Sequence, residues 1–111
     1  MYSEYQELNA MQMEMIESLV TDLPYIRKRL GVSQTQLGNY VGLSRQTISS
    51  IERKTTPLSW NNYLALLLFL AANSDDVYYF TRKQEFKYIN SLYEFLVTPK
   101  RQAERKKAQQ Q

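Results

Sequence analysis

Between Gly42 and Lys54 the chain reads GLSRQTISSIERK, and its polar side chains are of kinds that make paired hydrogen bonds. Arginine offers two parallel donors, which suit guanine O6 and N7. Glutamine offers a donor beside an acceptor, which suits adenine N6 and N7. Serine hydroxyls make short bonds to bases or phosphates. At about 100° per residue of helix, Arg45, Ser49, Arg53, Gln46 and Ser50 fall within an arc of roughly 140°. Ile51 and Ile48 fall on the opposite edge, near roughly 240° and 300°. Such a helix buries its isoleucines and presents a basic, amide-rich face with no acid on it. About 10–12 Å across, it has the width of the major groove of B-form DNA.

Other chemistries find less support. The chain has no histidine and no cysteine, so the commonest metal ligand and general base, disulfides and thiolate metal sites are all excluded. The remaining carboxylates and hydroxyls show no catalytic arrangement. The expectation is therefore a protein that is not an enzyme and holds no cofactor or metal. The longest apolar run, Leu64–Ala72, has nine residues, whereas a membrane span needs roughly 20. The amino terminus carries Glu4, Glu7, Glu14 and Glu17 with no early base, which argues against a secretory signal. A cytoplasmic location is expected, and the absence of cysteine is compatible with a reducing compartment.

Charge is unevenly spread. The formal net charge is +3, but residues 1–23 carry five acids and no base, and residues 24–74 carry six bases against Glu52 alone. Residues 98–111 carry five bases and one acid. A basic middle suits a polyanionic partner for part of the surface. The tail bases Lys100, Arg101, Arg105, Lys106 and Lys107 read as a solvated segment.

The pattern that must position these side chains is helical throughout. Leu8, Met11, Met15, Leu19 and Leu23 recur at helical spacing and predict an amphipathic helix over about residues 4–20. Thr21 or Asp22 can cap a second helix with Pro24 in its first turn, ending near Gly31. Ser33 with Gln36 fits a capping box for a short helix that carries Leu37 and Val41 and ends at Gly42. Ser44 caps the next helix, which runs to about Arg53. Gly42 supplies the left-handed conformation of the turn, and Gly38, lacking a side chain, allows the two helices to approach. Ser59 caps a helix over Trp60–Ala72 that is apolar almost all round and so should be covered on more than one side. Phe86, Ile89, Tyr93 and Leu96 favour a helix within the aromatic-rich stretch 74–97, although Val77–Phe80 could locally be extended. The tail 98–111 has no apolar stripe and is expected to be mobile.

Two short helices joined by a glycine turn, the second of them polar-faced, form a helix-turn-helix. Residues 33–54 resemble the helix-turn-helix of the phage repressor and Cro family, also called the Xre family. Gln34, Leu37, Gly38, Val41, Gly42, Leu43, Ile48 and Ile51 fit its pattern in order. The resemblance implies an all-α fold, a five-helix repressor-like domain over residues 21–73 with extra N- and C-terminal helices. It also implies roles. Arg45, Gln46 and Ser50 would approach bases; Gln34, Ser44 and Ser49 would lie against phosphates. Arg27 and Glu52 occupy the positions of a structural ion pair. Where glycine commonly follows the glutamate the chain has Arg53 and Lys54, which add two candidate phosphate contacts.

The implied function is a sequence-specific regulator of transcription, a repressor in its simplest form, whose partner is double-stranded DNA. Half-sites one turn apart, roughly 34 Å, are read by symmetric dimers, so a homodimer is expected. An antitoxin that uses this helix for autoregulation and a flank to hold a toxin is the alternative within binding proteins. A protein-interaction module that does not bind DNA is the alternative outside that class.

Overall fold

The computed structural model describes residues 8–73 and 87–110, and these are helical apart from turns and caps. Six helices occur among them: α1 (Ala10–Arg29), α2 (Gln34–Val41), α3 (Arg45–Glu52), α4 (Trp60–Ala72), α5 (Lys87–Leu96) and α6 (Pro99–Gln110). Helices α2 and α3 pack closely on each other, α1 supports α3, and α4 lies against α1, α2 and α5.

The amino-terminal region corrects the expectation of two helices. α1 is continuous through Thr21, Asp22 and Pro24, and it begins at Ala10; residues 4–7 of the expected first helix lie outside the described residues. Its cap is Asn9, whose side chain accepts from the Gln12 backbone at 2.8 Å while the Gln12 side chain accepts from the Asn9 backbone at 3.0 Å. A proline inside a helix removes one backbone bond and costs about 3 kcal/mol. That cost is offset because Met15, Leu19, Val20, Leu23 and Ile26 form one uninterrupted buried stripe on both sides of it. Each large aliphatic side chain so buried contributes about 1.5–3 kcal/mol.

These residues meet Leu37, Ile48, Ile51, Leu58, Tyr63, Leu66, Leu67, Phe69 and Leu70 in a single core. α4 is covered on several sides, as its composition requires, but Leu68 remains 73% exposed. Tyr63 is fully buried, and among the described residues its hydroxyl has no hydrogen-bond partner. Burial alone pushes this phenol up to about 12.

α5 joins the core through Leu92, and Phe95 sets its edge on the Trp60 ring at 5.5 Å. Tyr93 and Leu96, which contributed to the helical signal, face outward. Val77–Phe80 lies outside the described residues. The tail, expected to be mobile, is helical over Pro99–Gln110. Proline suits its first position, and Ala, Glu, Lys, Arg and Gln are good helix formers. Arg105 ties α6 to α5 by an ion pair with Glu94 at 3.3 Å and by lying over the Tyr93 ring at 5.0 Å.

Candidate nucleic-acid interface

The turn between α2 and α3 is made by two glycines with different tasks. Gly42 ends α2 at φ 80°, in the left-handed region, and its N–H and that of Leu43 both donate to the Gly38 carbonyl at 2.8 Å. Gly38 is buried at the contact, and a β-carbon there would collide with the Leu43 carbonyl oxygen. The missing side chain is what allows α3 to start so close to α2.

α3 then begins at Ser44, whose hydroxyl accepts from the Thr47 N–H at 3.0 Å and shares a 2.8 Å bond with the Thr47 hydroxyl. Ile48 and Ile51 are buried beneath. Arg45, Gln46 and Arg53 are exposed, and Ser49 and Ser50 are partly so. The five candidate residues thus share one outward face. Arg53 leans on Ser50, its guanidinium 3.4 Å from the hydroxyl. Glu52, the one acid of α3, points inward.

Two other helices converge on that acid. Arg27 of α1 donates to the Glu52 carboxylate through Nε at 2.9 Å and Nη2 at 3.1 Å, a bidentate pair. Gln34 of α2 donates to Oε1 at 2.9 Å. The third Arg27 bond, from Nη1, goes to the Val32 carbonyl at 3.1 Å. The two charged side chains are 12% and 6% exposed. The network locks α3 to α1 and α2, and it neutralises the acid so that the outer face remains positive.

The far end of α3 closes in a Schellman motif. The Lys54 N–H donates to Ile51 and the Thr55 N–H to Ser50, both at 2.9 Å. The residue at the left-handed position, with φ 63°, is Lys54. The loop geometry usually left to glycine is therefore kept by a lysine, at a backbone cost of about 1–2 kcal/mol. Its side chain turns back to α1: Nζ donates to Glu17 Oε1 at 2.6 Å and to the Thr21 hydroxyl at 2.9 Å.

Of the residues singled out in the sequence, Arg45, Gln46, Ser49, Ser50 and Arg53 are brought together on the open face. Ser44 caps the helix at its start, and Gln34 and Lys54 are engaged by carboxylates. The sequence reading missed Glu17 and Thr21 as partners of Lys54, because contacts more than 30 residues apart carry no local signal. Thr47 could have been found, since it stands three residues after the capping serine.

Residues 25–70 match a family model described as Helix-turn-helix. This segment is a helix-turn-helix domain of the Xre/Cro family. The match spans α2, α3, the turn and most of α4, and it marks a regulator of the DNA-binding kind. The first half of α1, with Glu17, lies outside it, as do α5 and α6. No curated protein and no solved structure matches the chain. No helix among the described residues is long and apolar enough to cross a membrane.

Proposed function

We propose that the protein is a cytoplasmic, sequence-specific repressor that inserts α3 into the major groove and acts by occupying a promoter. The observation that carries this reading is the outward face of α3, where Arg45, Gln46 and Arg53 stand exposed beside Ser49 and Ser50 with no acid among them. Arg45 and Gln46 sit in the first turn, the part of a recognition helix that reaches base edges. Ser50 reads a neighbouring base. Arg53 and Ser49 lie toward the phosphates, joined by Ser44 and Gln34 at the amino-terminal ends of α3 and α2. Such contacts position the domain, whereas those from Arg45 and Gln46 supply specificity.

The protein works as a homodimer in this reading. Symmetric half-sites call for paired reading heads, and the domain leaves two large apolar side chains open, Tyr40, 71% exposed and packed on Phe69, and Leu68. Selection from a random DNA library at about 150 mM salt tests the proposal. A palindrome with half-sites one turn, roughly 34 Å, apart supports both DNA reading and the dimer. No enrichment over the input library overturns the reading.

A further inference from the structure

The contact between Lys54 and Glu17 joins the loop after α3 to the first half of α1. Lys54 stands two residues beyond the last residue of α3, on the loop that the proposed docking brings to the phosphate backbone. Glu17 belongs to the first half of α1, outside the helix-turn-helix match. Both residues line a groove of about 270 Å³ together with Met13, Ile16 and Val20 of α1 and with Ile51 and Leu58. The pair is solvent-facing, with side-chain exposures of 47% and 65%. It is therefore an attachment that can be exchanged, in contrast to the buried Arg27–Glu52 pair.

We propose that Glu17 is an intramolecular competitor for Lys54: the amino-terminal part of α1 holds this cation away from DNA, and docking exchanges the carboxylate for a phosphate. The inference rests on the DNA-binding reading above. Lys54 has one ammonium group, and two of its three N–H donors are taken, by the Glu17 carboxylate at 2.6 Å and by the Thr21 hydroxyl at 2.9 Å. A phosphate that approaches this ammonium must compete with Glu17 for its charge. The left-handed backbone at Lys54 belongs to the same device, because it aims the side chain back at α1 and keeps the loop closed through backbone bonds that do not depend on the side chain. Breaking the pair thus frees the lysine without opening the loop. The proximal half of α1 acts as a brake on affinity that is indifferent to sequence and sensitive to salt.

The test uses the full chain as wild type, Glu17→Gln, Lys54→Gln, the double variant, and Glu14→Gln as a control for charge. Glu14 is exposed on the same helix one turn earlier. Binding to a labelled duplex carrying the selected site, and to one of unrelated sequence, is titrated from 50 to 200 mM salt. In parallel, acetylation of each lysine in the free proteins is read by mass spectrometry. Glu17→Gln should bind both duplexes about 1.5- to 5-fold tighter at low salt, the range an exposed ion pair can supply. Its salt slope should steepen by about 0.9, one further phosphate contact. The gain should vanish in the Lys54→Gln background and exceed that of Glu14→Gln, and Lys54 should acetylate faster once Glu17 is gone. A gain equal to that of Glu14→Gln, or one that persists without Lys54, overturns the competition in favour of long-range charge. Weaker binding with a lowered melting temperature overturns it in favour of a structural brace. If the wild type binds neither duplex while Lys54 acetylation still rises in Glu17→Gln, it is the DNA reading that has failed, and the competition falls with it.

Discussion

Replacing Glu52 by glutamine keeps the shape of the side chain and removes its charge. The carboxylate accepts three hydrogen bonds between 2.9 and 3.1 Å, two from Arg27 and one from Gln34. An amide supplies one good acceptor, and its NH2 group meets the donors that remain. Arg27, its side chain 12% exposed, is left charged and largely out of water. Removing one partner of a buried pair costs about 3–5 kcal/mol, much of it from the orphaned charge. With its Val32 bond intact and some exposure left, Arg27 places the loss at the lower end, about 3 kcal/mol. Against a whole-domain stability of about 5–15 kcal/mol this is a large fraction. It corresponds to a melting temperature lower by roughly 12–24 °C. Urea denaturation followed by circular dichroism at neutral pH measures it. The paired change Arg27→Met with Glu52→Leu removes both charges and should recover most of the loss, because a buried pair replaced by apolar residues is often neutral. A loss below about 1 kcal/mol in Glu52→Gln, the range of exposed pairs, would show that water screens the network and that α3 is held by its isoleucines alone.

Gly38→Ala should destabilise the domain by about 2 kcal/mol or more, despite the roughly 1 kcal/mol that alanine normally gains over glycine in a helix, because the new methyl meets a backbone carbonyl that cannot rotate away; calorimetry checks it, and an unchanged melting temperature would mean that α2 and α3 separate freely. Tyr63→Phe should be neutral or stabilising at pH 7, since it removes a buried hydroxyl without a partner among the described residues. The same variant should differ from the wild type above pH 10. The phenol is pushed up to about 12 in the folded chain, so the unfolded chain gives up its proton first. The wild type then loses stability as pH rises from about 10 to 12, by something on the order of 2 kcal/mol relative to Tyr63→Phe. Parallel stability profiles for the two proteins across that window would contradict the burial of the hydroxyl.

The parts of the fold that were legible in the sequence are those with a local physical cause. Ser33 with Gln36 and Ser44 announced the starts of α2 and α3, and Gly42 announced the turn, because caps and left-handed turns demand particular residues at fixed offsets. The periodicity of Ile48 and Ile51 showed which side of α3 would face outward. The break placed before Pro24 did not occur, because a tertiary cause, the continuous burial from Met15 to Ile26, overrode a local preference. The Asn9–Gln12 capping box was equally local and would have given the true start of α1. The register of α5 was ambiguous because Leu92, Tyr93, Phe95 and Leu96 are all apolar, and only packing on Trp60 decides which turn inward. The engagement of Lys54 by Glu17 is a contact across α1 and the loop that no pattern of spacing encodes.

The central claim is that the exposed face of α3 reads bases, and the most direct test is the affinity of Arg45→Ala, beside the wild type, for the selected site and each of its single-base variants. Arg45 is exposed and bears no part of the core, so the variant should remain folded. The account predicts a loss of about 1–3 kcal/mol on the selected site together with relaxed preference at one base pair. Equal weakening on every sequence, with an unchanged pattern of preference, would contradict it and make Arg45 a phosphate contact.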